Sequence, residues 1–188
     1  MDIDKKLIRS CIKNDRKAQF ALYKVCYQLL MNVCYRYKKD KSEAEAIMNQ
    51  GFLKIVTNLD KYNENVPFEA WSRKIMINTV IDEYRKTKKD KETIEYADFQ
   101  ESTYDQHYID YNEADKQYNA EELKLMLLTL PDMSRKVFNL YAIDGYSHKE
   151  IAEMFSISIG TSKWHVSFTR TELKKLIELK LNPVELHN

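Results

Sequence analysis

Glycine and proline are scarce in this chain, three of each in 188 residues. With so few breakers, long stretches run uninterrupted while Leu, Lys, Glu, Ala and Ile recur at helical spacing, so an all-α fold is expected. No Gly-rich phosphate loop or nucleophile elbow is present, and His107, His148, His165 and His187 are scattered rather than clustered. The three cysteines, Cys11, Cys26 and Cys34, form no C-x-x-C pair and read as small core residues. No run approaches the roughly 18 apolar residues of a membrane span, and Met1 is followed by Asp2, Asp4 and Lys5 rather than by the apolar core of a signal peptide. The expectation is a cytoplasmic protein that is not an enzyme, with no metal, no cofactor, no small-molecule substrate and no membrane insertion.

Apolar residues, 44% of the chain, suffice for one ordinary core or two small ones. The net charge of +1 hides a segregation. Residues 1 to 91 carry 20 Lys and Arg against 12 Asp and Glu, whereas 92 to 122 carry one Lys against ten acids. Residues 123 to 188 carry nine basic and seven acidic residues. An acidic strap therefore joins a basic block to a near-neutral one.

Ile3, Leu7, Ile8, Cys11 and Ile12 share one helical face, and Phe20, Tyr23, Tyr27, Leu30, Met31 and Cys34 share another, which predicts two amphipathic helices. Ser42 followed by Glu45 has capping-box spacing, and Ala44, Ile47, Met48, Gly51, Phe52, Ile55, Val56 and Leu59 continue a third helix. After a polar loop from Asp60 to Asn65, Pro67 is placed as the first residue of a fourth helix reaching about Thr87. These helices make an N-terminal domain over 1-87. Aliphatic periodicity lapses over 88-120, where tyrosines sit among acids, and this segment is read as a flexible acidic linker. Periodicity returns in a second domain over 121-182, with Leu123, Met126, Leu127 and Leu130 before Pro131, then Val137, Phe138, Leu140 and Tyr141 up to Asp144-Gly145.

The second domain carries helix-turn-helix spacing. Ser147 can cap a helix from His148 to Phe155, Ser156-Ile157-Ser158 supplies the turn, and a long helix follows from about Gly160 to Leu179. Ala152 is small where the helices cross, and Ile151, Phe155, Ile157, Val166, Leu173 and Leu176 can close the core. On a helical wheel Ser162, Val166, Thr169, Leu173 and Leu176 turn inward. Lys163, Trp164, Ser167, Phe168, Thr171, Lys174 and Lys175 then face outward. An outward Trp and Phe suit thymine methyls and sugars in a major groove, the lysines suit phosphates, and Thr161 at the helix N-terminus suits another phosphate. Packing of Trp164 on the neighbouring domain is the competing explanation.

The order LP…R..VF.LY…DG.S..EIA…..IS.GTSK, from Leu130 to Lys163, resembles region four of the sigma factors of bacterial RNA polymerase, in particular the small extracytoplasmic-function group that keeps only regions two and four. Glu43-Ala44-Glu45 with Phe52-Leu53-Lys54 resembles the region-two helix that docks on polymerase, and Pro67-Phe68-Glu69-Ala70-Trp71 through Ile75, Asn78, Asp82 and Arg85 resembles the promoter-melting helix after it. The resemblance implies core RNA polymerase (its clamp coiled coil and flap) and promoter DNA as partners, with an anti-sigma factor as a further partner. It implies that region two opens the minus-ten element and captures a flipped base, while region four reads the minus-thirty-five duplex.

On that basis the minus-thirty-five contacts are expected from Thr161, Lys163, Trp164, Ser167, Phe168, Thr171 and Lys174. The minus-ten contacts are expected from Lys61, Tyr62, Asn63, Asn65, Arg73, Lys74, Asn78 and Arg85, because the loop offers amides and an aromatic for one unpaired base. Polymerase contacts are expected from Glu43, Glu45, Asn49, Gln50, Phe52 and Leu53. Lys86, Lys88, Lys89 and Lys91 can add phosphate neutralisation or form a solvated run. Asp82 and Arg85, three apart, are first read as an intrahelical ion pair. Phe68, Trp71 and Ile75 continue an apolar stripe and are read as core.

Three neighbours depart from the region-two pattern, Ala46, Asn49 and Gln50 standing for Asp, Gln and Glu, so the docking surface has lost acidity. In region four Ser156 replaces the usual turn Gly, and Phe168 stands where a basic residue is common. Two alternatives stay open: a stand-alone helix-turn-helix regulator, and a degenerate sigma-like protein that binds polymerase or an anti-sigma factor without initiating. The acidic strap reads equally as a thread toward the polymerase cleft or as a solubilising tether.

Overall fold

The computed structural model describes residues 3–90 and 120–181, and all regular structure among them is helical. No helix among the described residues is long and apolar enough to cross a membrane. The chain divides into two compact units. The acidic linker expected over 88-120 lies mostly outside the described residues, since the fourth helix continues to Asp90 and the fifth starts at Ala120.

The first unit comprises α1 (Lys5–Ile12), α2 (Arg16–Tyr37), α3 (Lys41–Thr57), a 3-10 turn (Leu59–Lys61) and α4 (Phe68–Asp90). Each of the first three helices starts on an aspartate. Asp4 accepts from the Lys6 amide, Asp15 from the Lys17 and Ala18 amides, and Asp40 from the Glu43 amide, which satisfies donors a helix N-terminus otherwise leaves orphaned. The expected Ser42 box is therefore corrected: the helix begins at Lys41, and Asp40, better placed by two residues, caps it. Pro67 likewise precedes α4, its carbonyl accepting from the Trp71 amide at 3.1 Å.

Leu22, Leu30, Met31, Met48, Ile55, Leu59 and Met76 are fully buried between α2, α3 and α4, each worth about 1.5–3 kcal/mol of transfer free energy. Gly51 of α3 is buried against α4, where a Cβ would run into the Met76 thioether, so the glycine permits close helix crossing. The stripe of α2 differs from expectation. Ala18, Leu22, Cys26, Val33 and Tyr37 join Leu30, Met31 and Cys34 inside, whereas Phe20 is 59% exposed and Tyr23 and Tyr27 are half-buried. In α1, Ile8 and Cys11 are buried and Ile12 is exposed. All three cysteines are buried free thiols, as expected, and burial pushes Cys26 and Cys34 up to about 12, far from reactive thiolates.

The second unit comprises α5 (Ala120–Thr129), α6 (Asp132–Phe138), a π-helical turn (Asn139–Ile143), α7 (His148–Phe155) and α8 (Ile159–Leu181). Pro131 separates α5 from α6, and Gly145 supplies a backbone φ of 76° where the chain turns toward α7. Ser147 and Glu150 form the full capping box of α7. Ser156 then takes the left-handed conformation, φ 53° and ψ 49°, that ends α7, a position usually given to glycine. Ile151, Ala152, Phe155, Val166 and Leu173 are buried as expected, with Ile157 and Leu176 half-buried at the edge.

Candidate nucleic-acid and docking surfaces

Helix α8 is held by its polar inner face as well as its apolar one. Ser162 and Thr169 are fully buried on it, and His165 is half-buried. The His165 Nδ1 shares a hydrogen bond with the Ser134 hydroxyl of α6 at 2.9 Å, and the Thr169 hydroxyl donates to the Ser134 carbonyl at 3.3 Å. Burial lowers His165 to about 4, so the ring is neutral at physiological pH. At the other end, Ser162 shares a hydrogen bond of 3.0 Å with His148 Nδ1 of α7. The His148 ring stacks on Tyr141 with centroids 4.3 Å apart, and Arg170 lies 5.9 Å from the Tyr141 centroid. His148 is lowered first by burial, then by the Lys163 and Arg170 charges. None of these polar anchors was legible as a site, because the partners of His165 and His148 lie 31 and 14 residues away.

With its inner face so fixed, α8 turns Lys163, Ser167, Thr171 and Lys174 to one side as a stripe at helical spacing. Lys163 and Lys174 are exposed, and among the described residues Lys163 meets no acidic group. Lys174 lies 3.8 Å from Glu178, and the Thr171 hydroxyl donates to the Ser167 carbonyl at 3.2 Å. Trp164 and Phe168 are half-buried and stacked on each other, so they form one apolar ledge beside the stripe. Thr161 is engaged locally, its amide donating to the Ser158 hydroxyl at 2.9 Å as that serine caps α8.

In the first unit the loop between the 3-10 turn and α4 is internally bonded. The Tyr62 hydroxyl donates to the Val66 carbonyl at 2.6 Å, and the Asn65 amide to the Asn63 side-chain oxygen at 2.9 Å. Tyr62 packs its ring on Phe68 and Trp71 at 5.3 and 5.0 Å. The tyrosine is thus half-buried, an anchor of the loop, while Lys61, Asn63 and Asn65 are exposed. Phe68 is buried as expected, and Trp71 and Ile75 are half-buried. Along α4, Lys74, Asn78 and Arg85 form an exposed stripe, and Arg73 turns aside to pair with Glu69 at 2.9 Å. The Asp82–Arg85 pair is corrected: Asp82 bonds Lys54 of α3 at 2.8 Å, because packing of α4 on α3 brings that amine within reach.

The outer face of α3 presents Glu43, Ala46, Asn49, Gln50 and Leu53, the last 64% exposed, opposite the buried Ala44, Ile47, Met48 and Ile55. Its remaining acids are engaged within the unit, Glu43 with Lys38 at 2.9 Å and Glu45 with Lys41 at 3.9 Å. Phe52 meets Tyr23 of α2 edge-on at 5.0 Å, and the Tyr23 hydroxyl donates to the Asn49 side-chain oxygen at 3.1 Å. Tyr23 and Tyr27 therefore belong to this surface, although sequence periodicity assigns them to a buried stripe.

Comparison with known proteins assigns a family to both units. Residues 22–90 match Sigma-70 region 2, and residues 120–173 match Sigma-70, region 4. The chain is 31% identical to the ECF RNA polymerase sigma factor SigW of Bacillus subtilis over 91% of this chain and 95% of that protein. It is 29% identical to RNA polymerase sigma factor SigZ of the same species, over 74% of this chain and 75% of that one. Among solved structures, the sigma factor RpoE of Bartonella quintana, in complex with the anti-sigma factor NepR, aligns at a TM-score of 0.48 and 18% identity, covering 85% of this chain and 98% of that chain.

Proposed function

The chain belongs to the sigma-70 family and is a sigma factor of the extracytoplasmic-function type that directs transcription initiation, and from that premise we propose how its two units divide the work. The α8 stripe of Lys163, Ser167, Thr171 and Lys174, with the Trp164–Phe168 ledge, reads the minus-thirty-five duplex in the major groove. Lysines neutralise phosphates, which sets affinity, while the ledge and the hydroxyls touch base edges and methyls. In the first unit Lys61, Asn63 and Asn65 take one unpaired base of the minus-ten element, and the exposed stripe of Lys74, Asn78 and Arg85 on α4 carries the strand.

The outer face of α3 docks on the polymerase clamp. Its acids are already paired within the unit and Ala46, Asn49 and Gln50 are uncharged, so docking rests on Leu53, Phe52 and the neighbouring Tyr23 more than on charge steering. The same face suits an anti-sigma factor, whose binding there would exclude polymerase. Region four adds the polymerase flap as a second docking point, and the protein works in the cytoplasm alongside the polymerase.

The observation that carries this reading is the presence, in one chain and in family order, of an exposed reading helix held by its polar inner face and a separate unit with a preformed loop. Reconstitution with core RNA polymerase tests it. Promoter-specific transcripts that depend on the added protein are expected, and failure to form a complex with core enzyme overturns it.

A further inference from the structure

Helix α1 lies outside the residues that match region two, yet it touches the loop assigned to minus-ten reading. Its inner face, Ile8 and Cys11, is buried, and α1 packs both on α2 and on the 3-10 turn Leu59–Lys61 that leads into the loop. From its solvent side the Lys5 ammonium reaches across 59 positions of sequence to donate to the Glu64 carboxylate at 2.6 Å. The hydrogen bond and charge of Lys5, helped by the charge of Arg9, hold the Glu64 carboxyl below the usual carboxylate range. Glu64 sits between Asn63 and Asn65, the two amides the loop exposes.

The loop is thereby held at three points. Tyr62 anchors its start on Phe68 and Trp71, Asn63 closes it internally on the Asn65 and Val66 amides, and Lys5 holds its tip. The first two holds are local. Among the described residues, Lys5 ties the tip to a helix distant in sequence. Both partners are largely exposed, and such pairs contribute little to global stability. Their effect is confined to what they order, here the orientation of two amides that must meet one base edge within hydrogen-bonding tolerance.

We propose that α1 is a positioning brace for the minus-ten loop, with Lys5 holding Glu64 so that Asn63 and Asn65 are presented in the orientation that discriminates the captured base. This rests on the minus-ten reading of the loop proposed above, and it adds a residue outside the matched family segment to promoter specificity.

The test uses the full chain, alone and as holoenzyme, with Lys5→Ala, Glu64→Gln and the exchanged pair Lys5→Glu with Glu64→Lys. In the chain alone, amide hydrogen exchange at Asn65 and Val66 is expected to quicken three- to tenfold in the two single variants and to return toward wild type in the exchanged pair, with the unfolding midpoint unchanged. In holoenzyme, open-complex formation is measured on promoters altered at the captured base. The single variants are expected to lose three- to tenfold of the wild-type preference while core-enzyme affinity stays constant. Unchanged exchange overturns the brace. Quickened exchange with unchanged base preference overturns the minus-ten assignment of the loop instead. An equal loss on every promoter, not restored by the exchanged pair, overturns positioning in favour of direct phosphate contact by Lys5.

Discussion

Trp164 and Phe168, both half-buried, stack on each other along α8, ring centroids 5.1 Å apart and planes 16° from parallel. One helical turn separates them, so the backbone presets the stack, and Trp164 also meets His165 edge-on at 5.0 Å. The polar anchor beneath the helix and the apolar ledge upon it are thus in contact. Removing part of the ledge should alter recognition more than folding.

Trp164→Ala forfeits a stack of about 0.5–1.5 kcal/mol together with its groove contacts. Affinity for a minus-thirty-five duplex is expected to fall about tenfold, corresponding to roughly 1.4 kcal/mol, with discrimination against mismatched sites reduced. Lys163→Ala should weaken all duplexes alike and lower the salt slope by about one. Fluorescence anisotropy over a salt series separates the two, and an equal loss of specificity in both variants would count against the division of roles.

Leu53→Ala removes an exposed side chain from the α3 face, so the unfolding midpoint should hold within about 0.5 kcal/mol. Core-polymerase affinity should nevertheless drop several-fold, and should do so with little dependence on ionic strength. A loss seen only at low salt would return the interface to charge steering.

His165 is neutral in the folded chain with its pKa at about 4, against an ordinary value near 6.5. A group whose folded value is depressed favours the deprotonated native state, so its contribution is fully present above pH 6.5 and is lost as pH falls toward 4. Roughly 2–3 kcal/mol of second-unit stability should disappear across that window, with His148, also lowered, adding in the same direction. Denaturation monitored at Trp164 in a Trp71→Phe background, repeated in His165→Gln, checks this: the glutamine variant should show a flatter pH profile.

Ser156 occupies a left-handed backbone that costs a side-chain-bearing residue on the order of 1 kcal/mol. Ser156→Gly relieves it, and after the extra unfolded-state entropy of glycine about 0.5 kcal/mol of stabilisation should remain. Chemical denaturation of the second unit measures the gain. A net loss would show that the serine side chain makes a compensating contact.

The all-helical plan, the Ser147 cap, the three-residue turn and the buried stripe of α8 were written in the sequence by itself, and so was the family. These are local signals: caps and stripes repeat at three- and four-residue spacing, so they survive in the chain without any partner. Tertiary structure alone decided the rest. Helix α2 carries apolar side chains on more than one face, and only the helices packed against it put Leu22 and Cys26 inside and left Phe20 in solvent. Asp82 exchanged a neighbour three residues away for Lys54, the Tyr62 ring packed on Phe68 and Trp71, and Lys5 met Glu64, because each partner lies on another segment that packing brings within reach. Stripe and cap are encoded in adjacent residues, whereas the choice among competing faces and partners belongs to whichever arrangement buries the most apolar surface while leaving the fewest polar groups unpaired.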